Sequence, residues 1–199
     1  MMVAVPNLPI FIGVVAIIVA LLDFIGIVAL PVGVFGVSAF YPGAAFYSAF
    51  AIWFGLPALV PIYLGNLIGS ALAGTFSVFT FALALGNVLG PCVPLLAFRF
   101  SACDPSLRDA RSVLVFVLSA AVGQSLLSAV WTLGGMFVVG QLPEAALPTA
   151  AFGWVVGDFL VTMAIGFPLL RFGTPLIRRR LGGCAQEHSV SPQPSPPRP

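Results

Sequence analysis

The stretch Phe152-Gly153-Trp154-Val155-Val156-Gly157-Asp158-Phe159 places a carboxylate in the middle of an apolar run from Leu147 to Leu170. A helix of that length can cross the ~30 Å hydrocarbon layer of a bilayer, and Asp158 would then lie near the midplane. A charged side chain at that depth costs at least ~2.5–3.5 kcal/mol, so it normally faces a cavity or a partner inside the protein. We therefore interpret the rest of the chain as the helices that surround Asp158.

The composition is that of an integral membrane protein. Of the 199 residues, 60% are hydrophobic and 7% are charged, and the mean hydropathy is +1.12, whereas soluble domains carry roughly 25% charged residues. The net charge of +2 does not indicate nucleic-acid binding. The sequence contains no catalytic or nucleotide-binding motif and no cysteine spacing typical of zinc, so we predict no enzyme activity, no metal site and no cofactor.

The apolar segments predict an all-α bundle of about six transmembrane helices. Two of the segments are short and meet at Gly55-Leu56-Pro57, where glycine favours a helix end and proline a helix start. We interpret these two segments as a tight helical hairpin. The six predicted spans are residues 8–30, 42–55, 57–72, 75–98, 112–139 and 148–171.

The arginines predict the orientation in the membrane. An even number of spans places both termini on one side, and that side then holds Arg99, Arg108, Arg111, Arg171 and Arg178-Arg179-Arg180, while loops 31–40 and 140–147 hold no arginine. By the positive-inside rule, we expect a multi-pass protein of the plasma membrane with both termini in the cytoplasm. Residues 1–180 would form one polytopic transmembrane domain, and the proline-rich residues 181–199 a disordered cytoplasmic tail.

Three predicted helices carry glycines four residues apart, a spacing that lets helix backbones approach closely in lipid. We predict that these glycines are helix-packing residues. They are Gly65 and Gly69, Gly86 and Gly90, and Gly153 and Gly157.

Polar side chains accompany these glycines at one depth of the membrane. Asn66, Asn87 and Asp158 lie near the midplane of their predicted helices, as does Gln124, and Asp23 lies within the first helix. Such a layer is either an interhelical hydrogen-bond network or a small polar cavity for a ligand. The predicted ligand-binding residues are Asp158, Asn66, Asn87, Trp154, Gln124 and Asp23. We expect Tyr41, Tyr47, Trp53 and Tyr63 to be packing and membrane-interface residues.

The order of these motifs resembles the type-one membrane-associated sensor domain. The resemblance covers roughly residues 36–171 and is carried by Tyr41-Pro42-Gly43, Gly65-Asn66, Leu85-Gly86-Asn87 and Trp154…Gly157-Asp158. Members of that family are prokaryotic membrane modules that typically precede kinase or cyclic-di-GMP signalling domains. They usually have about eight spans, whereas about six are predicted here, and no effector domain follows Arg180 in this sequence. The resemblance implies a sensory, ligand-binding module that passes a signal to a separate signalling protein.

Two alternatives remain open. The substrate-binding membrane subunit of an energy-coupling-factor vitamin transporter is similar in size and helix number, but no motif supports that architectural likeness. The other alternative is a non-catalytic membrane assembly protein whose polar layer only joins helices. In all three interpretations the protein's partners are the lipid bilayer and another membrane subunit or signalling protein. Homo-oligomerisation is possible in each of them, and none involves nucleic acid.

Overall fold

The computed structural model describes residues 7–29 and 40–187, and within them every regular element is helical. This confirms the all-α class predicted from the sequence. The predicted loop 31–40 lies almost entirely outside the described residues. The α-helices of the described ranges are α1 (Leu8–Ala29), α2 (Pro42–Phe54), α3 (Leu59–Leu72), α4 (Thr80–Leu83), α5 (Gly86–Ser101), α6 (Ala110–Phe116), α7 (Gln124–Val138), α8 (Leu147–Val161) and α9 (Phe167–Glu187).

Four helical stretches of the described chain are long and apolar enough to cross a membrane: Leu8–Val28, Thr80–Ser101, Ala110–Val138 and Glu144–Arg179. The third joins α6 to α7 through a π-helical segment, Val117–Gly123, and the fourth joins α8 to α9 through another, Thr162–Gly166. Each of the four corresponds to one predicted span. The remaining two predicted spans correspond to the shorter helices α2 and α3.

Helix α2 lies at the centre of the bundle. Eleven of its 13 residues are buried, and it packs against α1, α5, α8 and the Thr162–Gly166 segment. A helix that is apolar on all sides is normally enclosed by others. In this chain the predicted span 42–55 is therefore a core helix, and its own surface is covered by protein.

The connection from α2 to α3 has the local features expected at Gly55-Leu56-Pro57. Gly55 ends α2 with a positive φ of 72°, a conformation that favours glycine, and Pro57 lies in the 3₁₀ turn Leu56–Ala58 that follows. The predicted tight pairing of the two helices is not what the structure shows, because α3 packs mainly against α1 and α2 mainly against α5. The two helices pack against different neighbours, and the residues of the turn between them do not indicate which neighbours those are.

Helix α9 extends beyond the predicted end of the last span. The helix continues to Glu187, so residues 181–187 are helical and do not belong to the tail that was expected to be disordered. The tail prolines begin only at Pro192, and so none of them interrupts the helix before Glu187. The remaining tail, 188–199, lies outside the described residues.

Candidate functional site

A hydrogen-bond network joins four helices near the middle of the bundle. The Tyr47 hydroxyl, on α2, donates to Asp23 Oδ1 on α1 and accepts from Asn66 Nδ2 on α3 at 3.1 Å. Asn66 Oδ1 in turn accepts from Asn87 Nδ2 on α5 at 2.6 Å. Three of the predicted polar residues are thus linked, and Tyr47 is the residue that connects them.

Tyr41 extends the network toward the surface of the bundle. Its hydroxyl lies 3.1 Å from the Tyr47 hydroxyl and accepts from Asn87 Nδ2 at 3.4 Å. Tyr47 is a packing residue of the hydrophobic core, as predicted, and is only 1% exposed; its hydroxyl in addition joins the polar network, which the sequence did not indicate. Tyr47 lies in the predicted span 42–55, which is shorter than the roughly 20 residues that a membrane-crossing helix needs. This shortness is the feature of the sequence that points to a position at the centre of the bundle.

A cavity of about 280 Å³ opens beside this network. Its polar lining comes from α3, α5, α7 and α8 together with Tyr41 and the residues that lead into α4. The lining residues are Ile27, Tyr41, Asn66, Ser70, Thr75, Thr80, Leu83, Ala84, Asn87, Thr132, Met136, Trp154 and Asp158. Four of the six predicted ligand-binding residues are among them: Asn66, Asn87, Trp154 and Asp158.

Asp158 reaches the cavity from α8 and is 6% exposed. Trp154 lies one helical turn before it on α8 and also lines the cavity, and its indole N–H donates to Ser128 Oγ on α7 at 3.1 Å. None of the residues that line the cavity is Arg, Lys or His. The carboxyl group therefore faces the cavity without a basic side chain beside it.

Two buried oxygens in this region have no hydrogen-bond partner in the described chain, namely Asp23 Oδ2 and Thr132 Oγ1. Thr132 lines the cavity, whereas Asp23 lies behind it and reaches it through Tyr47 and Asn66. Buried polar atoms without partners are uncommon in folded proteins and often mark a place for water, an ion or a ligand. Thr132, which the sequence did not single out, thus belongs to the site, and Ser128 supports it through its hydrogen bond with Trp154.

Gln124 is held in a separate arrangement. Its Oε1 accepts from Ser48 Oγ at 2.5 Å, and its Nε2 donates to the Ala44 carbonyl at 2.8 Å. These bonds tie α7 to the central helix α2, and Gln124 does not line the cavity. For this residue the structure favours a helix-joining contact over the predicted ligand contact.

The predicted packing glycines behave differently from one pair to the next. A Cβ on Gly65 would lie 2.4 Å from Val19 Cγ1, and one on Gly69 would lie 2.9 Å from the Ala20 carbonyl oxygen, so both glycines allow α3 to approach α1. Gly86 and Gly90 likewise face α7: a Cβ on Gly86 would lie 2.5 Å from Thr132 Oγ1, and one on Gly90 3.0 Å from Gln124 Cγ.

In the third glycine pair, Gly153 departs from the prediction. A Cβ on Gly153 would meet no atom within 4 Å in the described chain, so the close packing expected there is not found. Gly157 is buried directly before Asp158. The difference arises because helix packing depends on which face meets a neighbour, and Gly153 is on a face that the other helices leave open.

The arginine-bearing part of α9, residues 171–179, is bonded to the connection between α5 and α6. Arg171 Nη1 donates to the Leu107 carbonyl at 2.8 Å, and Arg178 Nη2 forms an ion pair with Asp104 Oδ1 at 2.6 Å. Partial burial alone would raise the pKa of Asp104, but hydrogen bonds from Ser106 and from the Arg178 guanidinium outweigh it and hold that pKa below its usual value. The carboxylate and Arg178 together fasten α9 to this connection.

The described chain contains no cluster of three or more His, Cys, Asp or Glu side chains that could hold a metal ion. Comparison of the chain with protein-family models, curated proteins and solved structures yields no match. The resemblance to membrane-associated sensor domains therefore depends on the sequence motifs alone.

Proposed function

We propose that this protein is a membrane-embedded sensory module that binds a small polar ligand in the cavity beside Asp158. The observation that carries the proposal is the position of that carboxyl group. It is almost fully buried among helices long enough to cross a membrane, yet it borders a cavity of about 280 Å³. Intramembrane carboxyl groups that face cavities commonly belong to ligand or ion pathways.

The cavity lining suits a ligand that carries hydrogen-bond donors or a positive charge. Asp158 offers carboxyl oxygens and Thr132 an oxygen without a partner, while no basic lining residue would repel a cation. Trp154 and Tyr41 add aromatic faces, which attract ammonium groups. The volume is close to the lower limit of ordinary small-molecule pockets, about 300 Å³, so the ligand would be small.

One continuous helical stretch connects the cavity to the arginine-bearing part of α9. Trp154 and Asp158 lie on the helical stretch Glu144–Arg179, and the same stretch carries Arg171 and Arg178 at its other end. Between them the Thr162–Gly166 segment is π-helical, a geometry frequently found at functional sites. A ligand that shifts α8 would move α9 and its contacts with Asp104 and Leu107, where a cytoplasmic partner could detect the change.

The test uses the purified chain in detergent and a panel of amino acids, polyamines and small sugars. Thermal stability is measured with each compound for the parent protein, for Asp158→Asn and for Asp109→Asn, a matched control outside the cavity. We expect at least one compound to raise the melting temperature of the parent and of Asp109→Asn while leaving Asp158→Asn unchanged. If every stabilising compound acts equally on Asp158→Asn, the carboxyl group is a structural contact only.

The signalling part of the proposal is tested by partner capture with the tagged full chain. Recovery of a histidine kinase or a nucleotide cyclase supports the sensory role. Recovery of an ATPase pair with a coupling membrane subunit would instead make the chain a transporter subunit, with the same cavity as its substrate site.

A further inference from the structure

A second cleft lies along the arginine-bearing part of α9, residues 171–179, and shares no lining residue with the central cavity. Its walls combine three arginines with apolar side chains of the same helix. The residues that line it are Arg108, Arg171, Phe172, Pro175, Leu176 and Arg179. We propose that this cleft binds the phosphate group of an anionic phospholipid.

The lining residues carry positive charge, and none of them forms an ion pair within the described chain. No carboxylate is among the lining residues, and the nearby Asp104 is paired with Arg178, which does not line the cleft. Arg108 and Arg179 are exposed and form no ion pair in the described ranges. Guanidinium groups bind phosphate oxygens through two parallel hydrogen bonds, so this arrangement suits a phosphate.

One of the three arginines is held in place by the protein itself. Arg171 Nη1 donates to the Leu107 carbonyl at 2.8 Å and lies 3.5 Å from the Ser106 carbonyl oxygen. These contacts fix its guanidinium against the residues that precede α6, beside Arg108. The cleft thus combines one oriented guanidinium group with two exposed ones.

The apolar side chains decide between a lipid and a soluble phosphate. Phe172 is 70% exposed and Leu176 is 61% exposed, and a spacing of four residues places them on one side of α9. Both belong to a helical stretch that is long and apolar enough to cross a membrane. A soluble anion would leave these side chains uncovered, whereas the acyl chains of a phospholipid would lie against them. Basic pockets at the ends of membrane helices are known positions for anionic head groups.

The experiment measures lipid retention by native mass spectrometry of the full chain in mild detergent. Phosphatidylglycerol and phosphatidylcholine with identical acyl chains are added separately to the parent and to Arg108→Gln/Arg179→Gln. The control is Arg99→Gln, which removes one exposed arginine outside the cleft. Arg171 is left intact because of its bonds to the backbone.

We expect the parent and Arg99→Gln to retain phosphatidylglycerol far better than phosphatidylcholine. Each interfacial arginine contributes about fivefold to the affinity for anionic lipid, so the double variant should lose about 25-fold. Equal retention of the two lipids by the parent, or a loss in Arg99→Gln as large as in the double variant, would overturn the proposal.

A second comparison separates a lipid from a soluble anion. Phe172→Ala/Leu176→Ala keeps all three arginines. It should therefore weaken the retention of phosphatidylglycerol, while the binding of inorganic phosphate to the protein should stay as in the parent. If inorganic phosphate displaces the lipid at millimolar concentration and the apolar variant retains lipid like the parent, the cleft is a soluble-anion site and the assignment to phospholipid is wrong.

Discussion

Asn66 and Asn87 come from different helices and bond directly to each other, with Asn87 Nδ2 2.6 Å from Asn66 Oδ1. Each follows a glycine that faces a neighbouring helix: Gly65 faces α1, and Gly86 faces α7. The repeated Gly-Asn pair therefore combines close backbone approach with an interhelical hydrogen bond.

Tyr47→Phe removes the hydroxyl that connects Asp23 to Asn66. We expect the free energy of unfolding in detergent to fall by about 1–2 kcal/mol, because two buried partners lose a hydrogen bond. Tyr63→Phe is the matched control, since its hydroxyl donates to the Phe81 carbonyl at an exposed position, and it should cost less than about 0.5 kcal/mol. Equal losses would mean that the Tyr47 hydroxyl is not part of a stabilising network.

Gly65→Ala should separate α1 from α3. The new methyl group would lie 2.4 Å from Val19 Cγ1 and 2.8 Å from the Ala16 carbonyl oxygen, so we expect a destabilisation of about 1–3 kcal/mol. Gly153→Ala meets no atom within 4 Å and should be neutral or stabilising by up to about 1 kcal/mol. Chemical unfolding of both variants in the same detergent provides the comparison, and a neutral Gly65→Ala would contradict the close α1–α3 contact.

Cysteine labelling can test whether the cavity is accessible to water. In a background without native cysteines, Asn87→Cys should react with a small charged methanethiosulfonate reagent, because residue 87 is half-buried and lines the cavity. Gln124→Cys should react far more slowly, since residue 124 is 2% exposed and lies outside the cavity. Comparable rates at the two positions would show that the cavity is not a distinct aqueous site.

The Asp104–Arg178 ion pair predicts a specific acid sensitivity. Because the folded-state pKa of Asp104 is lowered, its ionised form stabilises the fold above the unfolded-state value of about 3.9. That contribution disappears as the pH falls through the folded-state pKa. Melting temperatures recorded between pH 6 and pH 3 should therefore fall more steeply for the parent than for Asp104→Asn.

The control for this pH series is Glu144→Gln, whose side chain is exposed and forms no ion pair in the described chain. It should follow the parent curve. An acid dependence of Asp104→Asn that matches the parent would assign the effect to other carboxyl groups.

The topology prediction concerns the two ends of the stretch Glu144–Arg179. A reporter inserted at Glu144 should report the exterior, and one fused after Pro199 should report the cytoplasm, because that stretch is long and apolar enough to cross the membrane and the arginines lie at its far end. The same side for both reporters would show that this helix does not cross the bilayer. Insertion of the same reporter at Asp109 should match the reporter after Pro199.

Local sequence was sufficient to predict that Asn66, Asn87 and Asp158 lie at one level of the bundle, where all three line the same cavity. Depth depends on the number of residues from the end of a helix, at about 1.5 Å each, and this distance can be counted without knowing which helices touch. The close approach at Gly65, Gly69, Gly86 and Gly90 was predictable for a similar reason, because glycine spacing is a property of one helix.

Which residues meet was decided only by the tertiary structure. The sequence predicts a depth for Gln124 like that of Asn87, yet Gln124 bonds to Ser48 and the Ala44 carbonyl, and Gly153 meets no atom of a neighbouring helix within 4 Å. Helix α2 lies at the core of the bundle, where Tyr47 joins Asp23 to Asn66. In helices that are apolar on every side, the sequence does not distinguish the lipid-facing side from the protein-facing side. Packing among the helices therefore sets the rotation of each helix about its axis. That rotation decides which side chains line the cavity.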